Sequence, residues 1–393
     1  MPSGSGRSRT IVEPAREIPV REDVDVLVAG GGLAGVSAAV AAARAGARTL
    51  LVERNGFPGG VATAGMCCSI FNCLYTPSRE LVVRGNALEF VERLARCGGP
   101  GAAWRDHKGH IIYDLERGKL ALTELLEESG ARYLLDTLAC AAVVEDGRLH
   151  GAVVESKSGR EALLAKVTVD ATGDADVAAL AGAPLRTVEE LGWAKHSYCF
   201  RVGTVDVDRF VQYFADNPGQ YPPYMDVDWD FEEARRQYDA TGTFLFPHGG
   251  GFQMELIMQG AARGEYPARV GVHSSDVPAL QMHAIRDLGV VHIITGFCEI
   301  HDLDVGETTQ AISDGRRMAF QVTDYFTKHV PGFERACVIG AADDLGLRAS
   351  RWIEGELDFT PEMKSQGAQF ADAIGRGVIQ RDFRKHPGEK AWG

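Results

Sequence analysis

The sequence lacks an excess of basic residues, a long apolar run and paired cysteines. It has 54 acidic residues against 41 lysines and arginines, for a net charge of -13. It therefore lacks the basic face that nucleic acids or anionic membranes require of a partner. No apolar run approaches the roughly 18 residues of a transmembrane helix. The eight cysteines are scattered without C-x2-C pairs, which indicates neither a metal site nor a disulfide framework.

The N-terminus has no apolar core of the kind that a secretory signal contains. Met1–Arg9 is rich in serine, glycine and arginine, which is not typical of a signal peptide. Residues 1–23 are polar, and we expect them to form a flexible leader. These features predict a reduced, cytoplasmic protein with no metal, no nucleic-acid partner and no membrane contact.

The sequence does have a glycine turn directly after an apolar segment. Val26–Ala29 is an apolar run typical of a parallel strand that is buried on both faces. The glycines that follow fit G-x-G-x-x-G: the first permits a tight turn, the second admits a pyrophosphate, and the third lets a helix pack on the strand. The residues of this turn that we expect to bind the ligand are Gly30, Gly32, Leu33, Ala34 and Gly35.

An acidic residue follows at the spacing that this motif requires. Val36–Ala47 is an alanine-rich helix whose N-terminal amides would face the phosphates. Leu50–Val52 is a second buried strand, and Glu53 at its end can accept hydrogen bonds from adenosine ribose hydroxyls. The alternative is a glycine-rich turn in another kind of α/β unit. The strand, helix and acid in this order favour a bound dinucleotide.

A second segment of dinucleotide-binding type follows a strand meander. Residues 138–167 predict three strands that are joined by glycine turns. A buried strand then ends at 171–173, and a helix of small residues follows. Asp174 and Asp176 lie at the start of this helix, where two interpretations stay open: they cap the helix, or they line the cofactor cleft.

Five segments together resemble a known family, the FAD-dependent oxidoreductases of the glutathione-reductase superfamily. They are the glycine motif, Phe57–Gly60, Asp170–Asp174, Pro331–Phe333 and Leu347–Gly355. The resemblance implies an α/β fold, an FAD-type Rossmann unit of parallel sheet, helices and β-meander, with a mixed α+β substrate lobe. It implies FAD as cofactor and hydride transfer between the flavin and a small organic substrate. The implied FAD contacts are Gly30, Gly32, Leu33, Ala34, Gly35, Glu53, Arg54, Gly59, Gly60, Ala171, Thr172, Gly173 and Asp174.

The resemblance also implies how the chain is divided. We expect the leader at 1–23, a discontinuous FAD-binding domain at 24–184, a substrate or cap domain at 185–330, and a return to the FAD-binding domain at 331–393. In similar proteins a longer C-terminal part closes the flavin site, and this chain stops at Gly393. The sequence is then truncated, or another polypeptide supplies the missing part, or the flavin site is incomplete, and we expect one of the first two. We also expect a partner subunit or a homo-oligomer. The alternative function is a flavin-fold subunit that is inactive alone.

In related flavin enzymes a Gly-Gly pair opens a helix beneath the flavin, and Gly59-Gly60 fits that place because backbone without Cβ can lie against a ligand. Cys68 and Cys73 fall on this expected helix, where five residues turn them roughly 140° apart. We therefore expect buried cysteines and not a redox pair.

The catalytic candidates rest on charge and position. Arg348 and Arg351 are three residues apart, and near a flavin they could bind a carboxylate or stabilise the reduced, anionic flavin. The equal alternative is ion pairing with Glu354 or Glu356. His248 precedes a glycine-rich turn that is either substrate-facing or a plain connection. A tRNA-modifying flavin enzyme is a third reading, against which the acidic balance argues.

Overall fold

The structure is a computed structural model that describes residues 10–70, 74–75, 80–96, 111–187, 196–217, 220, 231–245, 255–267, 281–298, 300, 303–347, 350–360, 362–363 and 366–376. Within these ranges, two sheets carry the fold: one of six strands with a parallel core, and one of five antiparallel strands. The predicted fold class, a Rossmann-like α/β unit with an additional mixed lobe, is confirmed.

The first sheet and its helices come from the N-terminal half of the chain. The described elements of this half are β1 (Val20–Ala29), α1 (Leu33–Arg44), β2 (Thr49–Val52), β3 (Ser69–Ile70), α2 (Asn86–Arg96), β4 (Ile111–Ile112), α3 (Leu115–Ser129), β5 (Arg132–Leu134), β6 (Leu138–Glu145), β7 (Arg148–Ser156), β8 (Gly159–Asp170) and α4 (Asp176–Leu180). The sheet has the order β5-β2-β1-β8-β7-β6, and β3 and β4 form a separate pair.

The second sheet, in the order β11-β12-β13-β10-β14, follows with its helices, and β15 pairs with β9. Within the described ranges, every helix of the chain is too short or too polar to cross a membrane. The elements are β9 (Leu185–Thr187), β10 (His196–Gly203), α5 (Val207–Asp216), α6 (Phe231–Thr241), β11 (Thr243–Leu245), α7 (Glu255–Ala262), β12 (Gln281–Ile285), β13 (Val290–Cys298), α8 (Val305–His329), β14 (Cys337–Ala341) and β15 (Arg351–Ile353).

Strand β1 lies in the middle of the first sheet, parallel to β2 on one side and to β8 on the other. Its side chains are buried on both faces: Val28 packs toward α1, while Leu27 packs on the opposite face. This is the environment that the apolar run predicts. The strand begins at Val20, so the last residues of the expected leader pair with β8.

Strand β8 belongs to both the meander and the parallel core. It pairs antiparallel with β7 near its start and parallel with β1 along most of its length. The sequence predicted the meander strand and the strand before 171 as neighbouring features, and the structure makes them one continuous strand. The meander therefore joins the first half of β8, and the second half of the same strand runs parallel to β1 as far as Asp170.

Side-chain caps fix the ends of several helices. Asp114 caps α3 by accepting from the amides of Glu116 and Arg117, and Gly130 ends it with a left-handed φ of +80°. A cap of this kind contributes about 1 kcal/mol. These two signals set the bounds of α3 at Leu115 and Ser129.

The prediction that a helix follows Gly59-Gly60 is wrong. The chain makes a single 3-10 turn at Gly60–Ala62, and Ser69–Ile70 form strand β3 against β4. Met66 adopts a left-handed φ of +54°, which ends helical geometry before Cys68. Cys73 lies outside the described residues.

One face of the second sheet packs on α8 in a large aromatic core. At the contact, a Cβ on Gly315 of α8 would lie 2.6 Å from Cγ of the buried Tyr198 ring. The ring is held by a 3.1 Å hydrogen bond from its hydroxyl to the carbonyl of Ala342. The sheet-to-helix distance therefore depends on a glycine at position 315.

We expect Gly315→Ala to lower the free energy of unfolding by about 1 kcal/mol or more, because an overpacking cost of about 1–3 kcal/mol exceeds the helix propensity gain of about 1 kcal/mol. Urea denaturation measures the change. Gln321→Ala on the exposed side of α8 is the control, with an expected effect within about 0.5 kcal/mol. Equal effects of the two substitutions would contradict the packing argument.

Candidate functional site

The carboxyl ends of β1, β2 and β8 meet at the glycine turn. The amide of Gly30 donates to the carbonyl of Val52, and the amide of Ala171 donates to that of Ala29, both at 2.8 Å. Gly30 has a φ of +98°, and a Cβ there would lie 2.3 Å from the carbonyl oxygen of Ala171. A Cβ on Gly35 would lie 1.8 Å from the carbonyl oxygen of Gly30. The first and third glycines are therefore required by the packing of the protein itself.

Gly32 differs because a Cβ there would meet no protein atom within 4 Å. It precedes α1, where among the described residues no side chain caps the helix and no acid lies in the first turn. The first intrahelical bond runs from the amide of Val36 to the carbonyl of Gly32, so the amides of Leu33, Ala34 and Gly35 have no intrahelical acceptor. Open space beside a positive helix end, with three amides that lack an intrahelical acceptor, is suited to an anion.

Glu53 lies beside this helix end at the carboxyl terminus of β2. It is 5% exposed, and its Oε2 accepts from the amide of Gly31 at 2.6 Å while Oε1 accepts from that of Asn55 at 2.9 Å. The carboxylate thus holds the middle of the glycine turn. An ionised carboxylate has about four acceptor positions, so it can also accept from hydroxyls of a ligand.

The Gly59-Gly60 pair lies against the glycine turn. The amide of Gly59 donates to the carbonyl of Gly31 at 2.7 Å, and a Cβ on Gly60 would lie 3.1 Å from the Cα of Gly32. Two glycine segments therefore line the same space in front of α1. The structure brings this sequence-predicted pair together with the first motif.

The segment 170–174 forms the third side of the site through a network of side-chain caps. Asp170 Oδ1 accepts from the amide and hydroxyl of Thr172, its Oδ2 accepts from the amide of Ala178, and the hydroxyl of Thr172 accepts from the amide of Asp176. The sequence left open whether Asp174 and Asp176 cap α4. They do not: Asp170 and Thr172 cap it. The sequence analysis did not identify the capping role of Asp170, although an acid two residues before a threonine is typical of such a turn.

Asp174 and Asp176 instead connect the turn to a later segment of the chain. Asp174 accepts from the hydroxyl of Ser350, and Asp176 forms an ion pair with Arg351. Burial raises the pKa of Asp176, against the opposing effect of Arg351. The partner of Arg351 is thus neither Glu354 nor Glu356.

Arg54, expected to contact the cofactor, forms a 2.7 Å ion pair with Asp344. This pair also connects the glycine region to the chain after β14.

Two of the three catalytic candidates, Arg348 and His248, lie outside the described residues.

Burial raises the pKa of the Cys68 thiol to about 12, as expected of a cysteine that packs as a small apolar group.

We expect Glu53→Gln to lower the free energy of unfolding by about 1–3 kcal/mol, because the amide nitrogen of glutamine cannot accept one of the two backbone hydrogen bonds. Urea denaturation measures this loss. The exposed Glu145 supplies the control: Glu145→Gln should stay within about 0.5 kcal/mol of the parent protein. An unchanged stability of Glu53→Gln would show that the carboxylate does not hold the turn.

Three solved structures are similar to this chain. A geranylgeranyl bacteriochlorophyll reductase-like protein from Thermoplasma acidophilum is 16% identical, with a TM-score of 0.44 over 82% of this chain and 65% of that chain. A myxobacterial chondrochloren halogenase is 15% identical, with a TM-score of 0.46 over 84% and 64%. A p-nitrophenol 4-monooxygenase from Pseudomonas putida is 13% identical, with a TM-score of 0.41 over 81% and 66%. This chain spans less than two thirds of the length of the first two.

A family model assigns the chain more directly. The model described as FAD dependent oxidoreductase matches residues 25–393, which begin in β1 and include the glycine turn, Glu53 and the capped turn after β8. The chain belongs to the FAD-dependent oxidoreductase family, whose cofactor is FAD.

Proposed function

We infer that this chain binds FAD at the glycine turn and uses it to transfer a hydride between the flavin and a small organic substrate. The observation that carries the proposal is the open space at Gly32, in front of the free amides that begin α1. A pyrophosphate carries the negative charge that this helix end favours. The finer assignment to the glutathione-reductase superfamily stays a prediction.

The residues around this space fit FAD in chemistry. The backbone at 32–35 would bind the pyrophosphate, Glu53 would accept from ribose hydroxyls, and the glycine pair at 59–60 leaves room for a ligand to pass. When bound, FAD would supply the hydride acceptor or donor. The protein would bind and orient the cofactor and the substrate and polarise the reacting groups. The expected contacts at 171–174 are backbone contacts, because the hydroxyl of Thr172 is already used within the turn.

The charged candidates have more limited roles in this proposal. Arg351 is paired with Asp176, and Arg54 with Asp344, so neither is a free cation. We propose that these pairs hold Asp344 and Arg351 beside the cofactor site. The catalytic roles of Arg348 and His248 stay predictions.

The first experiment measures FAD binding by Gly32→Ala. The backbone at Gly32 has φ -62° and ψ 177°, which alanine adopts without strain. The added methyl would fill the space of the pyrophosphate, so we expect FAD affinity to fall about tenfold or more while thermal stability without FAD is unchanged.

Gly375→Ala is the matched control, because a Cβ there also meets nothing within 4 Å. We expect it to bind FAD like the parent protein in the same absorbance titration. Equal affinity of the two variants would place the pyrophosphate elsewhere. A parent protein that takes up no FAD would contradict the proposed function as a whole.

Hydride transfer is tested by anaerobic bleaching of the bound flavin. A substrate that donates a hydride should remove the visible absorbance of the bound flavin within about one turnover time. Retained FAD that no candidate reductant or substrate bleaches would count against hydride transfer, but not against FAD binding.

A further inference from the structure

A row of residues crosses four strands of the five-stranded sheet at the level of Arg201. Each of these strands contributes one member, and each member pairs directly with the next. Directly paired residues of antiparallel strands have side chains on the same face. The row, in order across the sheet, is Gly340, Arg201, His292 and His283.

This face is polar, whereas the opposite face is the aromatic core. The neighbours of Arg201 along β10, Phe200 and Val202, are fully buried in that core. On the polar face, Gln281 lies two residues before His283, so both share the face. Gln281 is 3% exposed and His292 is fully buried. A sheet face with this many buried polar groups needs hydrogen-bonding partners.

The polar face is turned toward the first sheet and its loops. Arg201 Nη2 forms a 3.2 Å ion pair with Oδ2 of Asp114, the residue that caps α3. Met66, in the loop after the Gly59-Gly60 pair, reaches over Gly340, where a Cβ would lie 2.9 Å from its Cε. The charge of Arg201 also acts on the thiol of Cys68. The row therefore lies on the face of the second sheet that meets the loop after the Gly59-Gly60 pair.

Several nitrogen atoms on this face have no hydrogen-bond partner in the described part of the chain. Neither ring nitrogen of His292 is hydrogen-bonded there, and neither is Nε2 of Gln281. An unpaired buried group costs about 1–3 kcal/mol. Burial, with Arg201 beside it, lowers the pKa of His292 to about 3, so its imidazole is neutral at pH 7 and can both donate and accept.

We propose that Arg201, His292 and Gln281 form the substrate-recognition face of this enzyme and bind the carboxylate of a small organic acid. The Arg201 side chain is 13% exposed and uses only Nη2 for Asp114 among the described residues. Its other guanidinium donors are available to a planar acceptor. The inference rests on the proposed function and names the substrate class of the same site.

The charges favour a monocarboxylate over a phosphate. Arg201 supplies one positive charge, and Asp114 beside it supplies one negative charge. His292 is neutral. A dianion would meet stronger repulsion from Asp114 than a monoanion would, whereas a monoanion needs only the remaining guanidinium donors and neutral hydrogen bonds.

The test compares benzoate with benzamide, which has the same shape without the charge. Each is titrated into the FAD-loaded protein, with the flavin absorption spectrum and the melting temperature as readouts. We expect benzoate to perturb the spectrum and raise the melting temperature, with benzamide at least about tenfold weaker. Equal binding of the two, or no binding of benzoate, overturns the inference.

Two substitutions should change benzoate affinity in opposite directions. Arg201→Gln removes the cation and should weaken benzoate about tenfold or more, without affecting benzamide. Asp114→Asn keeps an equivalent helix cap but frees Arg201, so benzoate should bind more tightly. If the pair is only structural, both substitutions lower stability and neither changes benzoate affinity. Arg209→Gln, which breaks an exposed pair with Glu334, is the control and should leave benzoate binding unchanged.

His292→Leu tests the buried imidazole separately. Leucine removes two buried ring nitrogens that have no hydrogen-bond partner among the described residues, so stability should be kept, while benzoate affinity should fall severalfold. Unchanged affinity removes His292 from the proposed face.

The failure of this inference differs from the failure of the proposed function. A chain that binds FAD but no carboxylate refutes only the inference. A chain that takes up no FAD refutes the proposed function, and the melting-temperature titration then still reports carboxylate binding.

Discussion

The close approach of three strand ends at Gly30 is the constraint on which the rest of the site depends. The carbonyl of Ala171 occupies the place that a side chain on Gly30 would need, and two backbone hydrogen bonds hold β1 between β2 and β8. This contact fixes the direction in which α1 leaves the sheet. Because Gly35 then packs on Gly30, α1 begins beside the open space at Gly32, with three amides that have no acceptor within the helix.

Acidic side chains hold the backbone around that space, and none of those described below caps the start of α1. Glu53 accepts from two amides, one of them in the glycine turn, and Asp170 with Thr172 caps α4. A carboxylate that binds backbone amides stabilises a loop more strongly than a neutral acceptor does. None of these acids caps α1, where a carboxylate would compete with a phosphate. The acidic composition of the chain is thus compatible with an anion-binding site.

The second sheet divides its two faces between stability and recognition. The face that packs on α8 carries the aromatic residues, including Tyr198 and Phe200. The other face carries Arg201 and His292 toward the loop that contains Met66. A period of two residues produces this division, because successive side chains of a strand point to opposite faces. The polar face also meets Asp114, so the cap of α3 links the two sheets.

The sequence by itself determined the dinucleotide unit: the apolar strand, the glycine spacing, the Ala-rich helix and Glu53 are consecutive, and short-range sterics and hydrogen bonding define them. The tertiary structure decided what depends on residues far apart in the chain. Asp176 meets Arg351 across the fold, so spacing alone suggested the wrong partners for that arginine. The helix expected after Gly60 gave way to β3, because pairing with β4 and the left-handed Met66 outweigh local propensity. Arg201 and His292 share a face only through the register of β10 and β13, which no single segment of the sequence contains.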